Sequence, residues 1–161
     1  MGDYQRSTRE CPFSQLRPEI SAAIRAHAQQ HELGDVEREA VLCCETANEK
    51  TKKSGLLSRL AGGDPDPVHY VGVVLTPRHL IWARSGAKYS MAVMSARLGD
   101  VEMEDYENTP AYRLVPDSGL EVLGVFTGGI ERAQAFIGFG PEPAAENVKS
   151  RLKEAIHHNA V

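Results

Sequence analysis

The chain has 161 residues, and 18 basic against 22 acidic side chains leave a formal net charge of −4. That length fits one domain, and 42% hydrophobic with 25% charged residues is ordinary globular composition, which excludes an intrinsically disordered chain. Net acidity excludes a general attraction to nucleic acid or anionic lipid, so any basic site has to be local.

Residues 1–15 are polar and irregular, and are expected to be mobile. They lack the apolar core of a secretory leader, and Arg6 sits where a myristoylation signal needs Ser or Thr. From Pro18 to Leu33 the spacing becomes helical. Leu16, Ile20, Ala23, Ile24, His27 and His31 fall on one narrow side, Pro18 suits the first turn, and Gly34 is the expected stop. Beyond Gly34 the period shifts towards two. Strands are predicted over 39–47, 68–76, 79–85, 89–96, 100–106, 119–127 and 132–139, each bounded by Gly, Pro, Asn or Asp. Thr76-Pro77-Arg78-His79, Gly86-Ala87-Lys88 and Gly128-Gly129 read as hairpin turns.

The last element returns to helical spacing. Pro143 opens a segment to about His158 with Ala145, Val148, Leu152, Ala155 and Ile156 on one face. Core positions expected from the two periodicities are Val71, Val73, Leu80, Trp82, Val122, Phe126, Ile137, Val148, Leu152 and Ile156. The best apolar run, Val71–Leu75, is far too short to cross a bilayer, so a soluble protein with no transmembrane segment is expected. Three cysteines, Cys11, Cys43 and Cys44, make no disulfide framework and no CxxC pair. Adjacent Cys43 and Cys44 should face opposite sides of a strand, as small core residues in a reducing, cytoplasmic setting.

Seven short strands followed by one amphipathic helix suit a small sandwich or half-open barrel whose end is plugged by that helix. The stretch Tyr70-Val71-Gly72-Val73-Val74-Leu75-Thr76-Pro77-Arg78-His79-Leu80-Ile81-Trp82 is similar to the strand, Thr-x-x-Arg/His-Leu, strand hairpin of pleckstrin-homology-like (PH-like) domains, in their bacterial PH and GRAM-like branch. Ser95-Ala96-Arg97-Leu98-Gly99-Asp100-Val101-Glu102-Met103 resembles their mid-domain strand junction. The resemblance spans about Val36 to His158. It implies an α+β fold: a seven-stranded antiparallel sandwich over 35–161 with a C-terminal helical cap, preceded by a tail and helix over 1–34. It also implies a binding or scaffolding module rather than an enzyme.

The first candidate site is the loop between the first two predicted strands. Lys50, Lys52, Lys53 and Arg59 stand near Leu56, Leu57 and Leu60, with glycines at both ends. Such a loop can put cations on phosphates and leucines into an interface, at an anionic membrane or a protein partner. Its bland alternative is a short helix that folds the leucines onto the domain. In PH domains the first inter-strand loop is the usual headgroup site, but the stricter pattern wants basic residues on the flanking strands, where only His69 is seen.

Other motifs carry less. His27 and His31 are spaced for one helix face but lack the H-E-x-x-H form and a third ligand; His157 and His158 face two directions. Gly138-Phe139-Gly140-Pro141-Glu142-Pro143 echoes a phosphate loop, yet two prolines remove donors and Glu142 repels phosphate. Asp100, Glu102 and Glu104 alternate on one strand face, the mark of a solvated surface. No pattern names a catalytic nucleophile, a metal or a cofactor, although a small hydrolase or metal-dependent enzyme with an unrecognised site is the alternative. Nucleic acid is not an expected partner, since the basic run is short and aromatics are 6%. A second copy of the chain is a further candidate partner.

Overall fold

A computed structural model describes residues 4–51, 67–86 and 90–160. Two antiparallel sheets and a C-terminal helix form an α+β fold. The five-stranded sheet runs in chain order through β1 (Tyr4–Glu10), β2 (Leu42–Lys50), β3 (Val68–Leu75), β4 (His79–Gly86) and β5 (Ala92–Arg97). The three-stranded sheet follows as β6 (Val101–Asp105), β7 (Gly119–Val125) and β8 (Arg132–Gly138). The α-helices are α1 (Pro18–Gln30), α2 (Val36–Glu39) and α3 (Pro143–Asn159), and four short 3-10 turns, Phe13–Gln15, Leu98–Asp100, Tyr106–Asn108 and Pro110–Arg113, complete the described elements.

The seven expected strands are present with shifted ends, and among the described residues the count is corrected to eight. The additional strand is β1, from a segment expected to be irregular. It has no apolar alternation to announce it, and of its seven residues only Thr8 is buried. Its order comes from a continuous ladder on β2, from Tyr4↔Lys50 to Glu10↔Cys44. The start of β2 is corrected from Glu39 to Leu42, because Asp35 caps a single helical turn by accepting the Arg38 N–H at 3.1 Å.

The sheet has one core on each face. Inward, Leu42, Cys44, Val73, Leu75, Leu80 and Trp82 meet the second sheet and α3, with Trp82 edge-on to Phe126 at 5.2 Å. Helix α3 contributes Ala145, Val148, Leu152 and Ile156. Outward, Cys43, Val74, Ile81 and Ala83 lie under α1, which supplies Ile20, Ile24 and Ala28. Of the ten expected core positions, eight are buried, while Val71 and Phe126 are partly buried against the same core. Cys43 and Cys44 do face opposite ways.

Helix α1 packs on its own sheet closely enough that a Cβ at Gly72 would run into Ile20. Its entry is anchored by Glu45, a buried carboxylate that accepts the Arg17 N–H at 2.8 Å and the Arg9 guanidinium at 3.1 Å. Arg17 itself lies over the Tyr70 ring at 3.4 Å. Its end corrects the expected stop. Leu33 N–H donates to Ala28 O and Glu32 N–H to Gln29 O, a Schellman closure two residues before Gly34. The left-handed position falls on Glu32, with φ of 54°.

A β-carbon in that conformation is strained by about 1 kcal/mol, part of which glycine's larger unfolded-state entropy offsets. Glu32→Gly is therefore expected to raise the thermal midpoint by about 2 °C. A fall in the midpoint would show that the exposed Glu32 side chain stabilises the cap more than its backbone strains it.

Candidate functional site

The inward face of the five-stranded sheet changes character along its length. On β2 the inward series runs Leu42, Cys44, Thr46, Asn48, Lys50; on β3 it runs Leu75, Val73, Val71, His69; on β4 it runs Leu80, Trp82, Arg84. Each strand starts this series apolar and ends it polar or basic, at the end where the 51–66 connection leaves β2. Strand β1 adds Thr8, Arg6 and Tyr4 to the same face. The inward face thus has an apolar middle and, at this end, a polar margin that is called its mouth.

The polar groups here are deeply set and mutually ordered. Thr46, Asn48 and His69 are 1%, 2% and 7% exposed. Arg6 Nε donates to Asn48 Oδ1 at 2.8 Å, and its guanidinium pairs through both terminal nitrogens with the Asp117 carboxylate. Asn48 Nδ2 donates to the carbonyls of Thr46 and His69. The Tyr4 ring meets His69 edge-on at 5.3 Å, and Arg6 lies 5.4 Å from the Tyr4 and Phe136 ring centres. Beside Arg6 opens a hollow of about 250 Å³ lined by Tyr4, Glu107, Tyr112, Asp117 and Phe139. Lys50, His69, Arg84 and Tyr4 all carry hydrogen-bond donors, a set suited to anionic oxygen.

Of the sequence-derived loop residues, Lys50 sits at this mouth, on the last position of β2, and its N–H donates to Pro67 O at 2.9 Å to close the loop's base. Lys52, Lys53, Leu56, Leu57, Arg59 and Leu60 lie outside the described residues. Sequence reasoning missed Arg84, Arg6 and Tyr4. Arg84 was legible in principle, because it shares the parity of Leu80 and Trp82 and so belongs to their face.

A neighbouring surface is apolar. Tyr106 stacks edge-on against Tyr112 at 6.2 Å and Phe136 at 4.8 Å. Around them Leu114 is 85% exposed and Val115 61%. Single exposed apolar residues need no explanation, but here they form a group beside the hollow.

The remaining motifs are structural. Gly138 and Gly140 give β1 room: a Cβ at Gly138 would strike Arg6, and Gly140 N–H donates to Thr8 Oγ1 at 2.9 Å. Glu142 accepts the Thr8 N–H, so β1 occupies the supposed phosphate loop. Asp100, Glu102 and Glu104 are exposed while Val101 is buried, as a wet strand face requires. Burial pushes the Cys43 thiol up to about 12 and also raises Cys11 and Cys44, so none is a ready thiolate. Among the described residues no three His, Cys, Asp or Glu side chains gather as a metal site. No described helix is long and apolar enough to cross a membrane. No family model, curated protein or solved structure matches the chain.

His27 and His31 pack ring to ring at 4.4 Å, and His27 Nε2 meets Ser95 Oγ at 2.8 Å, which donates on to Thr127 Oγ1 at 2.7 Å. Burial, then the neighbouring His31, lowers the His27 pKa. Burial, with Arg78 and Arg97, lowers that of His79 against the opposing effect of Glu39. A histidine held low binds fewer protons folded than unfolded, so this stability is complete above about pH 6.5 and declines as pH falls through that value. The fall in thermal midpoint between about pH 7.5 and about pH 5.5 should shrink in the double variant His27→Gln, His79→Gln. An undiminished fall would assign the acid sensitivity elsewhere.

Proposed function

We propose that the chain is a non-catalytic, PH-like binding module that docks the mouth of its sandwich on an anionic membrane surface. The order of β2 to β5, then β6 to β8, then α3 supports the PH-like reading: four strands, three strands and a terminal helix, with β1 and α1 added to the first sheet. The observation that carries the function is the convergence of Lys50, His69 and Arg84 from three adjacent strands onto one end of one sheet face. An otherwise acidic chain places them where the Lys52, Lys53 and Arg59 loop departs. Each basic side chain near an anionic surface contributes about 1 kcal/mol, and leucines in the same loop add an apolar component. Neither is strong alone, so the expected binding is reversible and weakened by salt.

A second reading, a protein partner, is favoured by the exposed Tyr112, Leu114, Val115 and Phe136 group beside the mouth. The two surfaces separate by mutation. Flotation with anionic phospholipid vesicles should be strong at about 0.01 M salt and weak at about 0.15 M, and absent with zwitterionic vesicles. Lys50→Glu with Arg84→Glu should weaken flotation by at least about 30-fold, the loss from removing two positive charges alone. Leu114→Ser with Val115→Ser should leave it nearly unchanged. Flotation that ignores charge reversal, or no flotation at low salt, contradicts the membrane reading. Loss of flotation in the Leu114, Val115 variant alone moves the contact to the apolar group.

A further inference from the structure

The outward face of the five-stranded sheet carries a second group of cations, which the mouth does not use. On β1 the outward positions Ser7 and Arg9 lie opposite Ala47 and Glu45 of β2, and Tyr70 of β3 lies across from Ala47. The chain returns over these strands through Gln15, Leu16 and Arg17 before entering α1 at Pro18. Between strands and return lies a hollow of about 500 Å³, lined by Ser7, Arg9, Gln15, Arg17, Glu45 and Tyr70 among others.

The one carboxylate in this lining is already engaged. Glu45 Oε1 accepts from Arg9 at 3.1 Å and Oε2 from the Arg17 N–H at 2.8 Å. Arg17 Nε stands 3.8 Å from Oε1, beyond hydrogen-bond reach, and is buried without a partner. The Arg17 guanidinium is instead held over the Tyr70 ring, 3.4 Å from its centre, a stacking that fixes its plane in advance of any ligand. Among the described residues its terminal nitrogens, the Ser7 hydroxyl and the Tyr70 phenol have no hydrogen-bond partner. Two guanidiniums against one carboxylate leave about one net positive charge, to which the N-terminus of α1 adds a fraction. The flanking carboxylates are Glu19, exposed in the first turn of α1, and Glu49, the next outward position of β2 beyond Ala47.

We propose that this hollow binds the phosphate of a small soluble phosphate monoester, with Arg17 and Arg9 taking its oxygens and the Ser7 hydroxyl beside them. Donors from three chain segments suit a tetrahedral oxyanion better than a flat carboxylate. A phosphate monoester carries about −1.5 to −2 charges at neutral pH, which matches the cationic excess of the lining. The hollow is larger than a bare phosphate needs, so its occupant carries a short organic group as well. The site lies on the opposite sheet face from Lys50, His69 and Arg84, and the inference does not depend on what the mouth binds.

The test is a nuclear magnetic resonance titration of the whole chain with glycerol 3-phosphate, at constant ionic strength set with chloride. Saturable shifts are expected at the Ser7, Arg17 and Tyr70 amides, with a Kd on the order of 1 mM, and none with glycerol. Arg17→Gln keeps the N–H that Glu45 accepts, and should weaken binding by at least about tenfold. Ser7→Asp sets a carboxylate into the hollow from an exposed position outside both cores. It should abolish the shifts with the thermal midpoint nearly unchanged. Lys50→Glu with Arg84→Glu should leave them as they are. Shifts that survive Ser7→Asp, that vanish in the Lys50, Arg84 variant, or that fail to saturate by about 50 mM overturn the proposal. Flotation with phosphatidate vesicles that Ser7→Asp removes, without a response to glycerol 3-phosphate, also overturns it and assigns the phosphate to a membrane.

Discussion

Strands β2, β3 and β4 must be apolar on both faces at once, because the inward face covers the core shared with the second sheet and α3, and the outward face seats α1. The neighbouring pairs Cys43 and Cys44, Val73 and Val74, and Ile81 and Trp82 each divide between the two cores. A slip of one residue in any of these strands would exchange the two sets, driving the Trp82 ring against α1 and leaving smaller side chains opposite α3. Register is therefore fixed from both sides. Gly72 belongs to the same constraint, since α1 approaches the sheet at that point more closely than a Cβ allows. Everything at the sheet ends, including the polar mouth, inherits its alignment from these three strands.

The parts legible in the sequence are those whose burial leaves a period. Helix α3 shows its face through Val148, Leu152 and Ile156, and β6 shows its through Val101 against exposed Glu102 and Glu104. The turn at Thr76 to His79 announces itself by Pro77, and Thr76 Oγ1 accepts the His79 N–H at 3.0 Å. Strand β1 was not legible, because its order comes from backbone pairing and polar contacts with residues more than a hundred positions away, such as Asp117 and Glu142. The end of α1 was misplaced for a related reason: the Schellman closure uses Glu32, a residue that does not advertise a left-handed position, and Gly34, also at positive φ, follows two residues later.

The candidate site divides in the same way. Lys50 and His69 stood out as basic residues beside a loop, whereas the parity that puts Arg84 on the face of Leu80 and Trp82 was in the sequence, but its nearness to His69 came only with the pairing of β4 on β3, Val71 opposite Arg84. Arg6 needed a strand that the sequence did not show. The mouth thus arises where the double-sided apolar constraint ends: beyond Val71, Cys44 and Trp82 there is no further core to fill, and the inward positions are free to carry charge. Asp117 and Asn48 organise Arg6 there, while the adjoining Tyr106, Tyr112 and Phe136 rings keep an apolar border.

The central claim, that this end of the inward face receives an anionic group, is tested most directly by a nuclear magnetic resonance titration of the whole chain with a soluble short-chain anionic phospholipid. The account predicts saturable shifts centred on Asn48, Lys50, His69 and Arg84, and none with the zwitterionic analogue. Shifts absent from these residues, or centred instead on the hollow lined by His31, His79 and Arg97, would contradict it.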